Sequence, residues 1–193
     1  MAQTQSSKLR GNKMAHNHNH NHDHSTASPT KKWITNEMKD EIVAAINRYR
    51  SFHKVNPLVR NRNIEREHSD RWAKKVVQNG HFSHSDDEKY GENIFAGILE
   101  TPFDPVDVWY WECNFDYTDP ERSLMAPGCG HFTQMVWKES SEVGVGIYPY
   151  DNEGTYVVVA SFYPPGNIIG TVAKNVIKPR GRVTRFKVKA SRR

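Results

Sequence analysis

The chain predicts an α+β fold in which mainly antiparallel strands lie between helical layers. Three patterns carry the prediction. Apolar residues recur three and four apart through Met38, Ile42, Ala45, Ile46, Tyr49 and Phe52, and a second stripe runs Ile64, His68, Trp72, Val76. Val143, Val145 and Ile147 alternate with Gly144, Gly146 and Tyr148, the period of a strand. Tyr156 to Phe162 is then almost continuously apolar, as a central strand covered on both faces should be, and Asp151-Asn152-Glu153-Gly154 joins the two as a hairpin loop. Helices followed by such a hairpin imply a sheet packed between helical layers.

The limits of the domain come from composition. The 193 residues suffice for one domain of ordinary size plus tails. Residues 1–32 carry a net charge of +4 and residues 173–193 a net +9, so the net −8 of residues 33–172 is hidden in the overall +5. The mean hydropathy of −0.79 is low for a compact unit, which these polar ends explain. We therefore divide the chain into a disordered tail (1–32), a folded, acidic domain (33–172) and a basic tail (173–193). Within the first tail, His16, His18, His20, His22 and His24 alternate with Asn and Asp. Such a tract binds Zn²⁺, Cu²⁺ or Ni²⁺ adventitiously; it reads as a low-complexity repeat or an added tag and is set aside from the fold.

In chain order, Thr35 or Asn36 caps a first helix that stops before Asn56-Pro57. A second helix runs from about Asn61 to Asn79-Gly80, with His68 as a packed stripe residue rather than a ligand. Residues 81–92 offer little to bury and read as a loop; His84 and Glu92, eight apart, can share a site only through loop geometry. Asp104 or Pro105 opens a third helix carrying Val108, Trp109, Trp111, Glu112 and Phe115. Glu112 among such neighbours is costly when ionised unless it is paired or ligates a metal, or else faces outward. After the turn Pro127-Gly128-Cys129-Gly130, the octet Gly130-His131-Phe132-Thr133-Gln134-Met135-Val136-Trp137 reads as a loop becoming a helix. At that helix start the free N–H groups disfavour imidazolium, so His131 is expected neutral near pH 7: either a metal ligand or a packed, hydrogen-bonded side chain.

Only two cysteines occur, Cys113 and Cys129, and residues 1–32 contain no apolar run of the signal-peptide kind. No segment approaches the length needed to span a bilayer. Together these features lead us to expect a reducing, intracellular setting. Cys129 reads as a plain turn thiol or a soft ligand.

The octet GHFTQMVW resembles the signature of the CAP superfamily: cysteine-rich secretory proteins, antigen 5 and pathogenesis-related type 1 proteins. His81-Phe82-Ser83-His84-Ser85, Gly91-Glu92-Asn93-Ile94 and Phe162-Tyr163-Pro164-Pro165-Gly166-Asn167 follow the same resemblance in the family's order, over residues 33 to about 170. The resemblance implies an α-β-α sandwich. It is greatest for the intracellular, disulfide-poor Golgi-associated plant pathogenesis-related type. That type begins Met-Gly and is myristoylated, whereas this chain begins Met1-Ala2-Gln3, so no lipid anchor carries over. The alternative location is extracellular, as for most of the family.

The resemblance also implies a cleft lined by two His and two Glu, here His84, Glu92, Glu112 (from Trp109-Tyr110-Trp111-Glu112) and His131. Such a set suits Zn²⁺, with His84 and His131 as ligands and the glutamates orienting them, binding a water or completing the coordination. Gln134 is expected to hydrogen-bond within the cleft. No cofactor is required by the reading. The sequence has no nucleophile elbow and no HExxH, so the expectation is a non-enzymatic protein that binds lipid, sterol or membrane surfaces. The alternative is a metal-dependent hydrolase or protease using the same cleft, including a Ser-His-Glu set drawn with Ser83 or Ser85. Lys178, Arg180, Arg182, Arg185, Lys187, Lys189, Arg192 and Arg193, interleaved with Val183, Phe186 and Val188, would meet anionic lipid. A solvated tail is the plain alternative, and no module for reading nucleic-acid bases is visible. Protein partners and a homodimer complete the expectations.

Overall fold

A computed structural model describes residues 34–185. The His/Asn tract and Lys187, Lys189, Arg192 and Arg193 lie outside the described residues. The elements follow in the order α1 (Asn36–Phe52), β1 (Val59–Arg60), α2 (Arg62–Ile64), a π-helical turn (Glu65–Ser69), α3 (Asp70–Asn79), β2 (Gly91–Ile98), α4 (Phe103–Tyr110), α5 (Pro120–Ser123), α6 (Gly130–Met135), β3 (Glu142–Pro149), β4 (Thr155–Tyr163) and α7 (Val172–Asn175). No described helix is long and apolar enough to cross a membrane.

The four strands form one sheet in the order β1-β3-β4-β2, antiparallel except for the short parallel β1–β3 pair. On one face, α1, α4 and α6 bury Ile42, Ile46, Trp109, Phe132 and Met135 against Val143, Val145, Val158 and Ala160. On the other, Ala73 and Val76 of α3 pack with Ile94, Val157 and Val159. Alternate residues of β4 thus feed both cores, which is why Tyr156–Phe162 is apolar throughout. This is the helix–sheet–helix sandwich the sequence predicts.

The strand glycines admit a close neighbour. A Cβ on Gly144 would lie 2.7 Å from the Glu65 backbone N, and one on Gly146 would overlap the Ser69 carbonyl. The buried Glu65 carboxylate fixes the same contact, taking a bidentate pair from Arg60 (2.6 and 2.9 Å) and the Val145 N–H (3.3 Å).

Thr35 caps α1, accepting the Met38 N–H at 3.2 Å, and Gly80 ends α3 at φ +62°, both as predicted. Four local expectations are corrected. The second helix is not uniformly α-helical, since the π-helical turn interrupts it where it meets β3. The loop after it ends at Tyr90, because Gly91 and Glu92 already pair with Phe162 and Ser161 as the start of β2. The third helix ends at Tyr110, so Trp111, Glu112 and Phe115 lie beyond it, Phe115 at φ +56°. The helix of the octet closes at Met135, short of Val136 and Trp137.

Cys129 is neither a turn thiol nor a soft ligand: it forms a disulfide with Cys113. That pairing removes the cysteine argument for a reducing setting, since disulfides persist in oxidising compartments. The boundary drawn at residue 173 also falls inside α7. Asn175 and Val176 are buried, the Arg180 N–H donates to the Phe52 carbonyl (3.1 Å), and Val183 packs on the larger core. Residues 172–185 are therefore a strap laid on the domain.

Candidate functional site

Two imidazole–carboxylate pairs meet where the edge strand β2 begins. Glu92 and Asn93 project to opposite faces of the sheet, so one residue serves each side. Glu92 is almost entirely buried; its Oε1 accepts the His84 ring Nδ1–H at 2.8 Å and the Ser85 backbone N–H at 3.0 Å. On the opposite face the Asn93 side-chain amide donates to the His131 carbonyl at 2.9 Å, fixing the start of α6 against the strand.

Glu112 completes the second pair from the turn after α4. Its Oε1 accepts the backbone N–H groups of His131 (2.6 Å) and Phe132 (3.0 Å), and its Oε2 the His131 Nδ1–H at 2.7 Å. The negative charge wanted at this helix start is therefore a glutamate, held there in part by the neighbouring Cys113–Cys129 bond. Burial pushes the Glu112 carboxyl up, but the His131 imidazole and the two backbone donors outweigh it and hold it below its ordinary value. The paired, rather than outward-facing, Glu112 is thus the arrangement found. For His84 the hydrogen bond to Glu92 raises the imidazole pKa, against a desolvation that lowers it.

The His84 and His131 rings are 6.2 Å apart between centroids. Both turn their Nδ1 toward a carboxylate, which leaves both Nε2 atoms for a ligand. They line a cleft of about 280 Å³ with Glu92, Glu112, Gly130 and Asn167. It opens onto a larger cavity of about 620 Å³ that shares His84, Glu92 and Asn167 and is walled by Asp86, Asp87 and Glu88. The structure thus brings His84, Glu92, Glu112 and His131 together.

Gln134 lines the larger cavity but is buried and committed. Its Oε1 accepts the Gly166 N–H (2.7 Å), and its amide donates to Ser140 Oγ (3.2 Å). A side chain on Gly91 would collide with it. Gln134 therefore positions the loop after β4 instead of facing a ligand.

Three contributors escaped the sequence reading. His68 is buried, as its stripe position predicts, but it also touches the back of the site. Its Nδ1 pairs with Ser161 Oγ at 2.8 Å and its Nε2 with Ser85 Oγ at 3.0 Å, while Glu92 Oε2 lies 3.8 Å away. Burial lowers the His68 pKa, and the charges of Glu92 and Asp87 only partly oppose this. Asn167, at φ +59°, donates to the Gly130 carbonyl (2.9 Å) and accepts from Thr133 Oγ1 (2.6 Å), tying the loop after β4 to α6. Ser161 is hidden within an apolar strand; only its polarity in that run could have marked it. The histidine that Ser85 Oγ bonds is therefore His68 and not His84.

Among the described residues no group of three or more His, Cys, Asp and Glu could hold a metal ion. What remains is a two-imidazole site. Two imidazoles on one tetrahedral zinc have centroids roughly 5–5.5 Å apart, given Zn–N bonds near 2.05 Å, so the rings here, 6.2 Å apart, must close by roughly 1 Å to share one ion.

This architecture has known counterparts. A solved structure of NaASP2 with Zn2+ superposes with a TM-score of 0.59 at 18% identity, covering 77% of this chain and 89% of that one, a likeness of fold. Golgi-associated plant pathogenesis-related protein 1 of Homo sapiens is 31% identical over 156 residues, 77% of this chain and 98% of that protein. Secreted protein RBT4 of Candida albicans is 30% identical over 157 residues, 75% of this chain but only 42% of its own length. The family model described as CAP, cysteine-rich secretory protein family, matches residues 43–162, where the sandwich and both His–Glu pairs lie; the chain belongs to this family.

Proposed function

We propose that this protein is a non-enzymatic binding protein whose cleft takes a divalent cation, Zn²⁺ in the first instance, through Nε2 of His84 and His131. One observation carries the reading: each imidazole is backed by its own carboxylate, which fixes the ring and its tautomer and raises its basicity toward a metal. Two protein nitrogens leave the remaining positions to water or a polar ligand, so the affinity is below that of a closed four-ligand zinc site. A bound cation would act as a Lewis acid and supply an anchor for such a ligand. His84 and His131 would hold it, while Glu92 and Glu112 keep the rings oriented. Of the hydrolase alternative, the serine form is disfavoured because Ser85 Oγ bonds His68 and not His84, whereas a form using metal-bound water would share the cation site proposed here.

The test uses the chain from residue 33 onward, because the histidine tract would dominate any titration; α1 begins only at Asn36. Calorimetry should give one Zn²⁺ per chain, and His84→Ala/His131→Ala should abolish it. Glu92→Gln and Glu112→Gln should each weaken binding by about 10–100-fold. Unchanged binding in the double variant would refute the site.

A second reading is favoured by the strap. Lys178, Arg180, Arg182 and Arg185 are all exposed, and Lys178, Arg180 and Arg182 enter none of the ion pairs among the described residues. Arg185 lies over the Trp111 ring at 5.7 Å. These side chains would meet an acidic lipid surface, each contributing on the order of 1 kcal/mol near the bilayer. We propose this as the protein's membrane contact. Its relatives include a Golgi-associated protein and a secreted one, and the location proposed for this chain is the surface of a Golgi or related membrane.

A further inference from the structure

The turn that follows the cleft presents two aliphatic side chains to solvent. Ile169 is 85% exposed and Ile168 49%. Looseness does not explain this, because the turn is tied from several sides. The Thr171 N–H and Oγ1 both donate to the Ile168 carbonyl, at 3.1 and 2.9 Å, closing the turn. Gly170 sits at φ +82°, a conformation that suits glycine at the third position of such a turn. The Glu121 carboxylate clamps it from below, accepting the N–H groups of Gly170 and Ala173, both at 3.0 Å. Before the turn, Asn167 is fastened to Gly130 and Thr133. The fold thus commits several polar contacts to holding an apolar apex outward.

A second observation says what meets that apex. From Ile168 to Arg193 the sequence contains no Asp or Glu and nine Lys or Arg. Five of these, Lys174, Lys178, Arg180, Arg182 and Arg185, are exposed along the strap that continues from the turn. Of the five, Lys174 is ion-paired, with Glu139 at 2.6 Å. We propose that Ile168 and Ile169 form a shallow membrane anchor that works with this acid-free basic strap on an anionic lipid bilayer. Two side chains at one apex are far too little surface for a protein interface, which buries about 800 Å² on each partner. They are enough to insert at the headgroup boundary once charge has brought the surface close, since stable membrane association takes two weak signals. The proposal rests on the membrane reading of the strap and adds the apolar half that it lacked.

The test is vesicle co-sedimentation of the full chain, comparing phosphatidylserine–phosphatidylcholine vesicles with phosphatidylcholine alone, at low and high salt. The variants are I168S/I169S and R180E/R182E, all at exposed positions. The wild type should bind the acidic vesicles and keep a salt-resistant fraction. I168S/I169S should bind about tenfold more weakly and lose that fraction, while R180E/R182E should lose binding at low salt. An environment-sensitive fluorophore on I169C should brighten when acidic vesicles are added. If I168S/I169S binds as the wild type does and the probe stays dark, the anchor is refuted while the strap reading stands. If the wild type does not bind at all, both fall. If the isoleucine variant changes only the oligomeric state, the apex serves a second copy of the chain and the lipid assignment is overturned.

Discussion

Each imidazole in the cleft has its properties set by one carboxylate, and that coupling can be measured directly. The Glu92 hydrogen bond raises the His84 pKa. A group raised in the folded state adds stability below its ordinary value, and this is lost as pH rises through the folded value. Since the His84 side chain is 60% exposed, the energetic share is small and the titration itself is the better readout. Glu92→Gln should bring the His84 midpoint in an NMR titration down toward that of an ordinary histidine; an unmoved midpoint would mean the contact does not persist in solution. These residues were legible because each sits in a short motif: Ser83-His84-Ser85, Gly91-Glu92-Asn93 and Gly130-His131-Phe132. His68 was half legible. Its stripe position foretold burial, but its bonds to Ser161 and Ser85 join residues 93 and 17 positions away, a separation no local pattern encodes.

Element by element, the fit between β3 and the π-helical turn decides how the sandwich closes. Gly144 and Gly146 form the face of β3 that lies against Glu65 and Ser69, and an added methyl at Gly146 would run into the Ser69 carbonyl. Backbone on backbone has no rotamer to yield. Gly146→Ala should therefore cost roughly 3 kcal/mol or more in urea unfolding, beyond the usual range for overpacking by side chains. Gly80→Ala, strained only by its φ of +62° with nothing near its Cβ, should cost about 1 kcal/mol. Equal, small losses would show that the strand and the π-helical turn can separate cheaply. The alternation of valine with glycine announced this close approach. The π-helical turn itself was not readable, since one widened turn leaves the apolar stripe nearly unchanged. The strand β2 was hidden for another reason: Ile94 faces one core and Phe95 packs on the other, so an edge strand between two layers loses its clean alternation. The early end of α4 was equally unreadable, because Cys113 is drawn away to Cys129 by a contact 16 residues distant.

Across the whole molecule, the C-terminal end of α1 gathers three separate parts of the chain. The buried Arg50 guanidinium donates to the carbonyls of Asn56, Met135, Trp137 and Ser140, so its charge is answered by backbone dipoles. Next to it, His53 Nδ1–H donates to the Ile177 carbonyl at 2.5 Å and its Nε2 accepts from Tyr110 Oη at 2.8 Å, joining the strap to α4. Nothing in the sequence distinguished this histidine, because its partners lie 124 and 57 residues away. Burial pushes His53 down to about 4; the Ile177 hydrogen bond opposes that change and the Arg50 charge adds to it. A histidine lowered in the folded state binds protons more readily when unfolded. Its neutral form therefore stabilises the fold fully above about pH 6.5, and that contribution is lost as pH falls from there toward 4. Because a tenfold change in proton affinity is worth about 1.4 kcal/mol, the whole effect is about 3 kcal/mol. His53→Phe removes the titration and leaves two polar partners unsatisfied, so it should be less stable at neutral pH by roughly 2 kcal/mol. Between pH 7.5 and 4.5, however, the wild type should lose roughly 2–3 kcal/mol more than the variant in urea unfolding, because only the wild type gains a proton on this ring as it unfolds. Parallel profiles would mean that His53 is already open to water, and so that the strap carrying Lys178, Arg180 and Arg182 is not seated on the domain. Converging profiles would establish the strap as part of the fold, which both the membrane contact and the apolar turn preceding it require.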